Sequence, residues 1–510
     1  PSGFDPVLSA LDFSFKVACP GSFDCKPRRR CPPEPSMQPD INYLAKDYAS
    51  FRQLMLDRMS VLMPLWKERN PADSGIALVE LLAYVADYLS YQQDAVATEA
   101  YLGTARKRVS VKRHSRLVDY FMHDGSNARS WVQVSVHDGI KNILLKKKTG
   151  KAITKVITPI AGLPSGIEFN SSDYKKALSQ GPQVFEIMHD INLFDSHNEL
   201  RFYTWGDREC CLPKGAVGAT MHETYANLKP GDVLIFAEVR GPQTGVPEDA
   251  DPSHRHAVRL TKVVVRDHNH NTLKDPLNDE PITEIEWHRE DALPFPLCLS
   301  ARNGTAYFDN VSIALGNIVL ADHGMTIDGE DLGTVPDADP VLTKVSESER
   351  NRCQEEPASL TPPRFRPQLK ERPLTHAAAY HSEGSPASAR SVMNWPMRTV
   401  MPSISINEQG VVGDWKPKRD LLNSSPNNKE FVVDIENNGL ASIRFGDDQN
   451  GSRPASGSTF KATYRVGNGV SGNTGADTLA HIISDDPAII GDSVIAGVLN
   501  PLPACGGMEP

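Results

Sequence analysis

Five groupings of residues in the sequence have the types and spacing of possible chemical sites. In "YRVGNGVSGNTGADTL", residues 464–479, Gly467, Gly469 and Gly472 spell G-x-G-x-x-G, the pattern of a loop that cradles a dinucleotide pyrophosphate. That chemistry requires the third glycine to open a helix whose amides face the phosphates. Here the following residues carry Gly475 and Pro487 and few apolar positions, and the preceding unit reads as antiparallel. The glycines are therefore expected to allow tight turns and close backbone approach at a strand end, with no nucleotide. His254 and His256, and again His268 and His270, are spaced to share a strand face and hold a metal. The run "AVRLTKVVVR" between the pairs reads as one strand, about 3.3 Å per residue, which holds the pairs roughly 40 Å apart. Exposed turn histidines are the expectation.

Ser172-x-x-Lys175 and Lys148-Thr149-Gly150 resemble penicillin-binding motifs, but in reverse order and without the middle element. The eight cysteines include Cys19, Cys25 and Cys31 at even spacing and the vicinal Cys210 and Cys211; none forms C-x-x-C. Zinc is weakly supported and reduced thiols are expected. The acidic turns "IDGEDLG" and "FGDDQNGSRP" lack EF-hand spacing. No catalytic constellation emerges, and neither cofactor nor metal is expected.

A chain of 510 residues suffices for two to four domains. A composition 39% hydrophobic and 23% charged is that of an ordinary soluble protein, and no run approaches the roughly 18 apolar residues of a membrane helix. The first twenty residues lack a basic start and a long apolar block, so no signal peptide is expected. A net charge of -10 argues against nucleic acid binding across the whole surface.

Residues 1–39, rich in proline and carrying "KPRRRCPPEP", read as an extended arm. From 40 to 120 the periodicity is helical. Ile41, Leu44, Tyr48, Phe51, Met55, Met59 and Leu62 form one stripe, with Asp40 as the expected N-cap. After "NPADSG" a second helix places Leu78, Leu82, Val85 and Leu89 on one face and Val79, Ala83 and Ala86 on another. A helix apolar on two faces must be covered on both. Either helices from other chains complete the bundle, or a self-contained helical subdomain does. Aspartate at Phe51 and Met55 is expected to break the seam. Just beyond, Arg106, Lys107, Arg108, Lys112, Arg113 and Arg116 make a basic run with no acid among them. It reads either as a solvated surface or as a salt-sensitive dock for an acidic partner surface.

From Trp131 the period falls to two, with glycine and proline punctuation, giving β-rich domains over 121–345. Residues 346–400 read as a Pro-rich exposed connection, and 401–510 as a final β unit with a hairpin turning at Asn438-Gly439. The fold class is α+β: an N-terminal long-helix bundle followed by β-rich domains.

"INYLAKDYASFRQLMLDRM", "ADSGIALVELLAYVADYLSYQQDAVATEAYLGTARKRVSVKRHSRLVDY", "FYTWGDRECCLPKGA" and "IRFGDDQNGSRPASGSTFKATYRVGNGVSGNTGADTL" resemble baseplate J-like wedge proteins, more narrowly the baseplate assembly proteins of extracellular contractile injection systems. "DADPSHRHAVRL" and "ITEIEWHREDALPFPLCLS" resemble a family-specific insert. The resemblance implies that 401–510 is a C-terminal baseplate J-like β domain, which in the family continues further. It implies a structural, non-enzymatic wedge subunit that helps build a sixfold ring and couples the hub and spike to sheath contraction. The implied partners are other wedge subunits, including a second wedge protein, a sheath-initiator-like component and the central hub or spike, in a hetero-oligomer without nucleic acid or a membrane span. The apolar stripes and the basic run read above make the expected assembly surface Tyr48, Phe51, Met55, Met59, Leu78, Leu82, Val85 and Leu89, with Arg106, Lys107, Arg108 and Arg113 beside it. Assembly in the bacterial cytoplasm is implied, followed by release outside the cell or by membrane or thylakoid association through other components. An adhesin or carbohydrate-binding tail protein is the alternative, and a phosphate-handling enzyme a distant third.

Overall fold

A computed structural model of the chain describes residues 44–149, 152–337, 340–341, 359–360, 364–380, 388–490 and 494–510. The expected arm over 1–39, with Cys19, Cys25 and Cys31, lies outside the described residues, as do Asp40 and Ile41. The fold is α+β, helical from 48 to 117 and then rich in strands. The chain divides into two compact units: Pro1–His114 with Val335–Arg364 and Ala455–Gly457, and Ser115–Thr334 with Phe365–Pro454 and Ser458–Pro510.

In the first unit, α1 (Tyr48–Leu62) begins later than the apolar stripe suggests. Asp47 accepts from the Ser50 amide at 2.8 Å, while Ser50 Oγ accepts from the Asp47 amide at 3.1 Å. This reciprocal capping box sets the start, and Leu44, before it, is exposed. α2 (Ser74–Glu99) starts at Asp73, whose carboxylate accepts from the Gly75 and Ile76 amides. Its 26 residues span about 39 Å. Arg52 of α1 pairs with Glu80, and Lys46, just before α1, pairs with Asp94, so the chain near the start of α1 meets residues later in α2. The two helices are therefore an antiparallel hairpin, closed by Leu56, Ile76 and Val79 with Met55, Met59 and Trp66 packed around them.

The second unit is built on a seven-stranded sheet with strand order Ile495–Leu499, Arg129–Val136, Ile318–His323, Val184–Ile187, Lys155–Ile157, His481–Ser484, Gly166–Glu168. All pairings are antiparallel except the last. One face buries Val132, Val134, Phe185, Val319 and Ile482 in a common core. Strands from 401–510 thus enter a sheet whose other strands come from 129–323. A six-stranded antiparallel sheet runs Gly218–His222, Ile282–Trp287, Arg255–Val264, Val233–Glu238, Ser312–Leu315, Leu200–Arg201. Trp131 and Leu320 of the first sheet share a cluster with Val233 and Ile235 of the second, and with Ala389 and Val392.

Of the stretch read as an exposed connection, residues 365–380 and 388–400 belong to this unit, while 359–360 and Arg364 fall in the first. Leu369, Leu374, Ala378, Ala389 and Val392 are buried, and Arg129 donates to the Val392 and Ala378 carbonyls. Gln368 and Leu374 bridge to Ser442 and Val466, His376–Ala378 pairs with Val400–Pro402, and Ala389–Val392 is a short helix, so proline content does not keep these segments out of the fold. Asn438-Gly439 does turn a hairpin between Glu430–Ile435 and Ala441–Phe445, with Gly439 at φ 79°.

At Gly324, φ 139°, the chain leaves the seven-stranded sheet and enters Met325–Thr334 of a three-stranded sheet with Thr459–Val466 and Ile404–Glu408. Arg465 spans this corner. Its Nη1 lies 2.8 Å from Asp322 Oδ2, its Nε 3.1 Å from Glu186 Oε2, and its Nη2 donates to the Asp322 and Gly324 carbonyls. Glu186 also accepts from the Thr326 amide and hydroxyl and lies 3.9 Å from Lys155 Nζ. Two carboxylates no more than 5% exposed therefore meet two cations. Arg465→Met leaves Asp322 without its cation and should cost about 3–5 kcal/mol in urea unfolding, whereas Arg465→Lys, which keeps the charge but loses the fork, should cost less.

Burial pushes the His197 and His323 imidazoles down to about 4. Between about pH 6.5 and 4 the unfolded chain binds protons that the folded one refuses, so stability rises with pH across that window. Acidification from pH 7 to 4 should lower unfolding free energy by at most about 3 kcal/mol per histidine, and replacing either by Gln should flatten the fall measured by denaturant titration.

Candidate assembly interface

α2 carries its apolar residues on two faces, and the chain itself covers one. Ile76, Val79 and Ala83 are buried, while Leu78, Leu82, Val85 and Leu89 are exposed. Leu81, Tyr84, Tyr88 and Tyr91 extend the exposed surface. Within the unit, α1 supplies Met55 and Met59 to the closed side; Phe51 is half-buried and Tyr48 exposed. Six of the eight apolar candidates therefore fall into two sets. Met55 and Met59 pack onto Leu56, Ile76 and Val79, so aspartate at Met55 would damage the hairpin itself. Leu78, Leu82, Val85 and Leu89 can be changed without opening that core. A patch of this kind on a helix is an interaction surface in the ordinary physical reading.

The basic run is held differently from a free stripe. α3 (Arg108–Leu117) follows a turn fastened by Glu99, which accepts from the Arg106 and Lys107 amides. A hydrogen bond from Ser110, then these amides and the Lys107 charge, hold the Glu99 carboxyl below its usual range. His114 Nε2 contacts the Glu99 carbonyl at 2.7 Å. Arg116 is paired with Asp420 at 2.6 Å, and Arg106, Arg108, Lys112 and Arg113 each have polar or electrostatic partners as well. Arg106, Lys107 and Arg113 remain exposed, and Arg108 is half-buried.

The other chemical candidates resolve into packing. The strand before the glycine loop, Thr459–Val466, is antiparallel to both neighbours, and only a short 3-10 turn, Gly469–Gly472, follows. The Gly469 amide donates to the Ser126 carbonyl, and the Val470 amide to Glu509 Oε1 at 2.9 Å. A carboxylate of the chain itself thus takes the amide a phosphate would need. A Cβ on Gly472 would sit 2.5 Å from the His323 ring, and one on Gly469 2.5 Å from Glu509. Close approach is what the glycines provide.

His254 Nδ1 lies 2.7 Å from Glu238, and His256 Nε2 lies 2.9 Å from the Asp291 carbonyl, so the pair diverges. His270 sits in a turn at φ 64°. No group of three or more metal-ligating side chains assembles among the described residues. Ser172 and Lys175 lie in the short helix Ser172–Ser179, while Lys148 and Thr149 form part of a two-residue strand. A cavity of about 570 Å³ is lined by Asp138, Asp195, Glu199, Glu238, Arg255 and Asp477 among others. Its Arg255 is committed to Asp477 and the Pro501 carbonyl, and its Glu238 to His254.

The helical hairpin thus has one apolar face filled by the chain and one exposed. Residues 47–117 match the family model described as bacteriophage baseplate protein, N-terminal domain. The matched segment covers α1, α2 and α3 and supports a structural baseplate role in association with other baseplate components. No curated protein matches the chain. No helix among the described residues is long and apolar enough to cross a membrane.

What sequence periodicity missed was which face stays open; the capping box at Asp47 and Ser50 was present as a start signal. Gly472→Ala should place its methyl against the buried His323 ring and destabilise the second unit by about 1–3 kcal/mol, read as a lowered urea midpoint with unchanged slope.

Proposed function

We propose that the chain is a non-enzymatic wedge subunit of a contractile injection system baseplate. In this reading it joins other wedge subunits, a sheath-initiator-like component and the hub or spike in a sixfold ring. It transmits the trigger for sheath contraction, and its assembly takes place in the bacterial cytoplasm. The observation that carries the reading is the exposed apolar face of α2, within the segment that matches the baseplate family. Leu78, Leu82, Val85 and Leu89 are each about half exposed, so covering them with a helix from a neighbouring subunit would gain roughly half of the ~1.5–3 kcal/mol of full burial each. The exposed Arg106, Lys107 and Arg113 flank this surface in sequence and would add salt-sensitive docking to an acidic partner.

The test is Leu82→Asp with Leu89→Asp in the full chain, coexpressed with its neighbouring gene products. Both side chains already face solvent, so thermal unfolding of the isolated chain should change little. Ring or wedge particles seen by electron microscopy should be lost, because the seam would bury unpaired charge. Wild-type particle yield from the double variant would remove the proposal.

A further inference from the structure

Two cysteines far apart in sequence meet outside the surface just discussed. Cys211 and Cys298 are cross-strand partners in the small sheet formed by Cys211–Leu212 and Leu297–Cys298. Their sulfur atoms are 2.9 Å apart. The Leu299 amide donates to the Cys210 carbonyl at 2.8 Å, which makes 210 and 299 the hydrogen-bonded pair. In an antiparallel ladder the next pair, 211 and 298, is then the non-hydrogen-bonded one, where Cα atoms approach to about 4.5 Å. That separation lies within the range of about 4.4–6.8 Å that a disulfide accepts. Cys211 is exposed and Cys298 half-buried. Their neighbour Cys210 is half-buried and packs against the core of the six-stranded sheet, and strand alternation turns its sulfur to the opposite face.

We propose that Cys211 and Cys298 form a redox-active pair that closes to a disulfide by exchange with a low-molecular-weight disulfide such as oxidised glutathione. Cys211, the accessible member, gives up its proton to solvent and its thiolate attacks one sulfur of the oxidant. The oxidant's S–S bond breaks, and one glutathione leaves as thiolate and is protonated. Cys298 then loses its proton and attacks Cys211 Sγ in the mixed disulfide, expelling the second glutathione. Two protein thiols are oxidised and one small disulfide is reduced to two thiols.

Burial and the adjacent Cys211 push the Cys298 thiol up to about 12, which suits the order of attack: the exposed sulfur begins and the sheltered one resolves. The bond would join positions 87 residues apart. The closed loop contains Gly218–His222, Val233–Glu238, Arg255–Val264 and Ile282–Trp287, four of the six strands of one sheet. Oxidation would therefore clamp the base of that sheet, and a thiol would release it.

The test is to incubate the full chain with millimolar oxidised glutathione, block free thiols with N-ethylmaleimide and map the peptides by mass spectrometry. A Cys211–Cys298 cross-linked peptide, abolished by dithiothreitol, is expected, with Tm raised on the order of 5–10 °C on oxidation. In Cys298→Ser, glutathione should accumulate on Cys211; in Cys211→Ser, Cys298 should remain unmodified. The wild-type map decides even where a variant folds poorly. Both thiols recovered as maleimide adducts, a stable glutathione adduct at Cys211 in the wild type, or a bond to Cys210 instead would each overturn the proposal.

Discussion

The corner at Gly324 is the constraint on which the second unit depends. A strand leaving one sheet to begin another must turn sharply and still satisfy its backbone groups in a place with little water. Glycine supplies the turn, and Arg465 supplies the closure by reaching from Thr459–Val466 to the carbonyls on both sides of the bend. Burying that guanidinium is tolerable because Asp322 and Glu186 meet it, and burying Glu186 because Thr326 and Lys155 meet it in turn. Asn127 adds a donor to Asp322 at 3.1 Å. Such a network binds four strands from distant parts of the sequence, and its charges balance only when all four are in place.

Much of this architecture was legible in the residues, because periodicity reports local geometry. The shift from a helical to an alternating pattern near Trp131 marks where the strands begin, and Asn438-Gly439 names its own turn. The glycine run before Thr474 also read correctly as close approach, since a crossover helix requires apolar residues that are absent. Long-range pairing was not legible. Nothing local in "AHIIS" says that His481–Ser484 lies between strands from 155–157 and 166–168, or that proline-rich segments near 370 and 390 are buried. The start of α1 was misplaced for a physical reason: an apolar stripe can run on past a helix end, whereas a cap cannot be extended. The candidate surface was legible as two apolar faces on α2, but sequence could not tell which face α1 would cover.

The helical hairpin closes one apolar face by itself and leaves the other exposed. Its inner seam is narrow, with Leu56, Ile76 and Val79 fully buried and methionines filling the flanks. Methionine adapts its shape to irregular gaps, so a small seam closes without demanding geometry from the outer face. Capping at Asp47 and Asp73 fixes both helix starts independently of any neighbour. The outer face is consequently free to be specified by recognition alone.

The pairing of Arg129–Val136 with Ile495–Leu499 also bears on how the protein is made. Gln133 faces Leu499, so a ribosome adding about 5–20 residues per second takes on the order of 20–70 s to deliver the partner of a strand already emerged. Throughout that interval one edge of an apolar strand stands unpaired, the condition under which nascent chains associate wrongly. The seven-stranded sheet is thus completed only after residues 495–499 have emerged, and that strand acts as the stop on a reaction that began near residue 129.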